Sequence, residues 1–152
     1  MRKVNFPFRL GTYTLLITAL VHLIGHFYKR PPANDQERQL LELMTTYRMN
    51  MGGIHRTVQS ILSGFSLTFA AALIFITALN LAIIRSRPAD RHLVGVITLV
   101  NVIMTGILLV ISGISFPLPP TVLFAAAYLS FAVSLFTERH QSASPESEAE
   151  SR

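Results

Sequence analysis

LVGVITLVNVIMTGILLVISGISFPLPPTVLFAAAYLSFAVSLFT, residues 93–137, contains no Asp, Glu, Lys or Arg. A soluble core able to bury so long an uncharged run needs a larger chain around it, whereas a bilayer supplies that surrounding directly. Ser115-Phe-Pro117-Leu-Pro119-Pro120 divides the run. It is too short and too stiff for anything but a tight turn, and Pro120 suits the first position of a following helix. The stretch therefore predicts two membrane spans, about 93–114 and about 121–137.

Working outward, Thr57 to Ile84 is also free of charge. It predicts a span over about 60–84, closed by Arg85-Ser-Arg87-Pro88. An earlier apolar segment, about 8–28, has the roughly 20 residues that match a hydrocarbon core of about 30 Å. Arg2 and Lys3 precede it, as in a secretory signal, but it runs into Lys29-Arg30-Pro31-Pro32 with no small-x-small cleavage site. It is read as an uncleaved first helix. The fold class expected is all-α: a polytopic membrane protein with an antiparallel four-helix bundle over 1–137. Residues 138–152, rich in Ser and Glu, are expected to form a disordered tail.

Composition agrees. Of 152 residues, 51% are apolar and 14% charged, against about a quarter charged in a typical soluble domain. The absence of cysteine excludes disulfides, thiolate metal sites and thiol redox relays. The 13 Lys and Arg against 8 Asp and Glu flank the apolar runs, so topology accounts for them and no nucleic-acid partner is implied. Arg2, Lys3, Arg9, Arg85, Arg87, Arg91, Arg139 and Arg152 fall on one side of four spans. Lys29, Arg30, Arg38, Arg48 and Arg56 fall on the other. The positive-inside rule then places both termini in the cytoplasm.

Between the first two spans lies a polar connection. Pro31-Pro32 ends the first helix, and Asn34 with Glu37 has capping-box spacing. Leu40, Leu43, Met44, Tyr47 and Met51 recur at helical intervals, with Arg38, Glu42 and Arg48 on other faces. This predicts an amphipathic helix over about 35–50, ended by Gly52-Gly53, lying on the membrane surface or over the mouth of the bundle.

His22 and His26 stand four residues apart near the outer end of the first helix, so their imidazoles stack on one face. His55 is expected at a similar depth. With Glu42 or Asp35, the three make a candidate metal or haem site. The competing reading is that these histidines simply bond a neighbouring helix. Haem on two histidines requires the second from another helix, and only His55 qualifies. Arg56 is read as a membrane-border residue or the partner of an anionic headgroup or loop carboxylate. His92 and His140 are expected to be solvated.

Asn80 and Asn101, both within spans, are expected to hydrogen-bond to one another and join their helices. Ala126, Ser130 and Ser134, and likewise Ala78 and Ala82, have small-residue spacing for close helix contact. No phosphate-binding glycine loop, nucleophile elbow or H-E-x-x-H is present, and no acidic residue is expected inside a span.

The run His22-Leu-Ile-Gly25-His26-Phe27, then Pro31-Pro32, Met44-x-x-Tyr47, Gly53-x-x-Arg56 and Gly64-Phe65-Ser66-Leu67, resembles an uncharacterised family of small bacterial four-helix membrane proteins. The resemblance covers roughly 10–135 and implies the fold and a bacterial inner-membrane location, with no known activity. The chain departs from the pattern between Thr57 and Ser63, which lacks the aromatic and acidic residues usual there. The expected function is that of a non-enzymatic membrane protein acting through lipids or membrane partners. The alternatives are a metal- or haem-binding, redox-active protein built on His22, His26 and His55, and a small transporter or channel working as a homo-oligomer.

Overall fold

Four helices in the structure are long and apolar enough to cross a membrane: Phe6–Phe27, Val58–Arg85, His92–Ser115 and Leu118–Glu138. The computed structural model describes residues 4–28, 30–86 and 91–149, with side chains as far as Glu138 apart from that of Arg91. In chain order the elements are α1 (Phe6–Phe27), α2 (Asp35–Thr46), β1 (Arg48–Met51), β2 (Ile54–Thr57), α3 (Val58–Arg85), α4 (Arg91–Ser115) and α5 (Leu118–Ala149). The protein is an all-α, multi-pass membrane protein. Arg2, Lys3, Lys29, Arg87, Pro88 and Arg152 lie outside the described residues, as do the side chains of Arg91, Arg139 and His140.

The contacts gather into two units, Met1–Thr18 with Leu73–Arg152, and Ala19–Ala72. In the first, Phe8 meets Phe131 edge to face at 5.6 Å. Gly11 is what lets α1 approach there, since a Cβ on it would lie 2.9 Å from the Phe131 ring. Asn80 and Asn101 form the expected pair, each amide nitrogen donating to the other's Oδ1 at 3.1 and 3.0 Å. Both are buried. Thr12, Thr77, Thr98 and Thr105 are buried too, and each donates to the carbonyl four residues back. With no water in hydrocarbon to satisfy a hydroxyl, that local bond is the cheapest solution.

Two expected packing stripes are displaced. The buried positions of α3 are Ala70, Leu73, Thr77 and Asn80, while Ala78 and Ala82 face outward. On α5 the buried positions are Phe124, Ala127, Phe131 and Ser134. Ala126 is exposed, and the Ser130 hydroxyl bonds back to its carbonyl. Small-residue spacing occurs on several faces of an Ala- and Ser-rich helix; the large side chains decide which face is buried.

The last helix differs from expectation at both ends. α5 begins at Leu118, so Pro119 and Pro120 both lie in its first turn, where a missing N–H costs no intrahelical bond. Beyond Glu138, where a disordered tail was expected, the backbone stays helical to Ala149.

Candidate functional site

The residues singled out for chemistry fall within Ala19–Ala72. There the described part consists of the last turns of α1, then α2, the β1–β2 hairpin and the first half of α3. The long connection is more structured than its sequence suggests. Asn34 caps α2, its Oδ1 accepting from the Glu37 amide at 2.8 Å. The Glu37 carboxylate reaches one residue further back than a standard capping box, accepting from the Ala33 amide, and also binds Arg30 at 3.1 Å. The Ala33 amide, followed by Arg30, holds its carboxyl below the ordinary value of 4.5.

α2 ends at Thr46 rather than about residue 50. Thr45 and Thr46 turn their hydroxyls onto carbonyls of the preceding turn, and Tyr47 is extended. Arg48–Met51 then pairs antiparallel with Ile54–Thr57. Gly52 and Gly53, expected to stop a helix, instead form a two-residue hairpin turn with φ of 60° and 88°. Two positive φ values in succession suit a type I′ turn, and glycine adopts them without steric cost. The Asn50 side chain fastens the turn by accepting from the Gly53 amide at 2.9 Å. The Gly-Gly pair followed by Ile54 and Thr57 was the overlooked hairpin signal.

The hairpin redistributes the predicted site. His55 lies on β2 opposite Asn50 and is exposed. Arg56 lies opposite Met49, pointing to the other face of the ribbon. Neither Arg56 nor Glu42 makes an ion pair among the described residues, where the pairs are Arg30–Glu37 and Arg38–Asp35. Among the described residues no group of three His, Asp or Glu side chains is placed to hold a metal ion. The expected trio of His22, His26 and His55 is therefore reduced to a pair. The reason is geometric, since a strand residue just ahead of α3 follows the ribbon and not the phase of that helix.

His22 and His26 do meet a common partner. His22 Nε2 lies 3.0 Å from Ser66 Oγ and 3.2 Å from the Ser66 carbonyl oxygen. His26 Nδ1 lies 3.0 Å from the same hydroxyl. The helical repeat stacks the two rings, and one serine on α3 falls between them. Phe69 stands edge-on to His22 at 5.1 Å and Phe27 edge-on to His26 at 5.0 Å. The two stretches that frame the family-like pattern, His22–Phe27 and Gly64–Leu67, are thus joined by side-chain bonds. The histidines bond a neighbouring helix, as the simpler reading had it. Ser66 was missed because a serine inside an apolar helix gives no signal until its rotational position is known.

A second missed group lies in the other unit. Glu138 closes the fourth span, and its Oε1 accepts from Asn5 Nδ2 at 3.3 Å. Asn5 also accepts from the Ser134 hydroxyl at 2.9 Å, tying the start of α1 to α5. An acidic residue thus sits at the edge of the span, one position beyond its expected end at Thr137. No protein-family model, curated protein or solved structure matches this chain.

Proposed function

We propose that this is a non-enzymatic protein of a bacterial inner membrane, with both termini in the cytoplasm, that works through lipid at the opposite surface. The working element is the segment from Arg30 to Thr57. The observation that carries this reading is that α2 buries none of its residues, although it bears an apolar face. Leu40 and Leu43 are exposed and lie within about 60° of one another around the helix, and Tyr47, the extended residue that ends it, is exposed too. Met51 and Ile54, facing each other at the hairpin turn, are exposed as well. The segment is tethered at both ends to membrane spans, so the nearest apolar phase is the bilayer itself. Fully withdrawing a leucine from water is worth on the order of 1.5–3 kcal/mol.

Charge favours a phosphate-bearing surface. Two of the three loop carboxylates, Glu37 and Asp35, are engaged by Arg30 and Arg38. Arg48 and Arg56 make no ion pair among the described residues, which leaves them for anionic headgroups. The family-like pattern and the excess of basic residues on the terminal side support the location and orientation.

The cysteine-free chain makes the test direct. Nitroxide labels at Leu43→Cys and Glu42→Cys are compared in vesicles of phosphatidylglycerol and phosphatidylcholine. The expected result is high oxygen and low nickel-chelate accessibility at 43, with the reverse at 42. Equal access of the nickel chelate to both positions would show that α2 stands in water and would overturn the reading. Protection at 43 from both reagents would mean a protein partner covers it, which also overturns the lipid assignment.

A further inference from the structure

We infer that His22, Ser66 and His26 form an ordered proton relay along the last turn of α1. The Ser66 carbonyl can only accept. A ring nitrogen 3.2 Å from it and 3.0 Å from the hydroxyl oxygen is best satisfied by carrying a proton, so the Nε2–H of His22 donates to the Ser66 oxygens. With its oxygen already accepting, the Ser66 hydroxyl is free to donate to the remaining neighbour, His26 Nδ1, 3.0 Å away. His26 then carries its proton on Nε2. The chain has one direction in its resting state: His22 to Ser66 to His26.

The ends of that chain are open. His22 Nδ1 and His26 Nε2 have no hydrogen-bond partner among the described residues, and neither is sealed from the surface. His26 is one residue from the end of α1, and His22 lies one turn, about 6 Å, deeper. A proton taken from water by His22 Nδ1 passes through in three coupled exchanges. The His22 Nε2–H bond breaks as a new Ser66 Oγ–H bond forms. The original Ser66 O–H bond breaks as a His26 Nδ1–H bond forms. The His26 Nε2–H bond then breaks, releasing a proton to water at the membrane border. One proton enters, one leaves and nothing is oxidised or reduced. Afterwards His22 Nε2 is bare and its lone pair faces the Ser66 carbonyl, an unfavourable contact that favours the reverse sequence, in which His26 Nε2 takes up a proton, Ser66 passes one back and His22 Nδ1 releases one, restoring the starting tautomers. The flanking Phe69 and Phe27 rings offer neither histidine a competing acceptor of comparable strength.

The inference is independent of the lipid-surface reading, and its test uses different atoms. The full chain, ¹⁵N-labelled at histidine, is studied by NMR in lipid bicelles near neutral pH. The expected spectrum has both rings mainly in the Nε2–H form, with His22 Nε2 and His26 Nδ1 sharing one exchange process. Ser66→Ala should slow that process by about 100-fold, the low end of what a positioned proton-transfer group supplies. Ser66→Thr, which keeps the hydroxyl, should restore it. A staple that merely held the helices together would leave the shared rate untouched in Ser66→Ala, and that result overturns the relay. So does a predominant Nδ1–H form of His26 in the wild type, or the absence of any shared exchange.

Discussion

In the unit that holds α4 and α5, each buried hydroxyl or amide named above is satisfied close at hand. The threonines bond within their own helices, and Asn101 Nδ2 serves both Asn80 and the Ile97 carbonyl. In Ala19–Ala72 several polar groups are left open. The two histidines expose their second nitrogens, Arg48 and Arg56 make no ion pair among the described residues, and α2 covers none of its own apolar face. The packed unit has its own exception in Arg9, whose buried Nε makes no hydrogen bond among the described residues; the open groups of Ala19–Ala72 differ in lying near the surface. Saturated groups hold helices together, whereas unsaturated ones at a membrane border are available for water, protons and lipid.

The contrast can be broken most forcefully at the Phe8–Phe131 contact. Phe131→Ala should cost about 3–5 kcal/mol, as for other buried aromatic truncations, read as a lowered midpoint of unfolding in detergent. Gly11→Ala should cost about 1–3 kcal/mol, because its Cβ meets a fully buried ring with no room to withdraw. In a Phe131→Leu background the Gly11→Ala penalty should shrink; an unchanged penalty would mean the ring is not what α1 meets.

The Asn pair gives the next effect. Asn80→Ala or Asn101→Ala should each destabilise by about 0.6–2 kcal/mol, by the same measurement. The double variant should lose less than the sum, since each single change strands the other amide. Strict additivity would show that the two do not interact.

That pair also shows how far the sequence could be read. Two asparagines at matching depth in neighbouring spans have few other partners in hydrocarbon, so depth alone was enough. Ser66 could not be found that way, because depth says nothing about which side of α3 it occupies. The hairpin was misread for a related reason. Met51 continues the helical spacing of Met44 and Tyr47 and also alternates with Met49 as a strand does, and the Gly-Gly turn had to arbitrate. Of the predicted site, the His22–His26 stack followed from spacing, whereas His55 was assigned by position along the chain and was lost to the ribbon.

In the second unit, disturbances should stay local. Gly53→Ala places a side chain at φ 88° and should weaken the hairpin by about 1–2 kcal/mol, the usual left-handed penalty. Faster amide exchange confined to residues 48–57 is the expected readout, with the midpoint of global unfolding unchanged. A fall in that midpoint would tie the hairpin to the packed helices and erase the contrast.

The smallest expected effect is a pH dependence at the start of α2. Glu37 has its carboxyl lowered in the folded protein. Its contribution to the α2 cap is therefore complete above its ordinary value of 4.5 and is lost as pH falls through the lower folded value. Amide exchange at the first turn of α2 should quicken below that window and be insensitive to pH there in Glu37→Gln. Identical acid profiles for the two proteins would assign the cap to Asn34 alone.

Hydropathy and breakers by themselves determined the four spans, the capped loop helix and the joined asparagines, because each depends on residues near in sequence or on depth in the bilayer. Tertiary structure alone decided which face of α3 and α5 is buried and that a serine stands between two histidines. Those outcomes depend on how helices are rotated against one another. Rotation is set by the fit of large side chains such as Phe8 and Phe131, which no local pattern records.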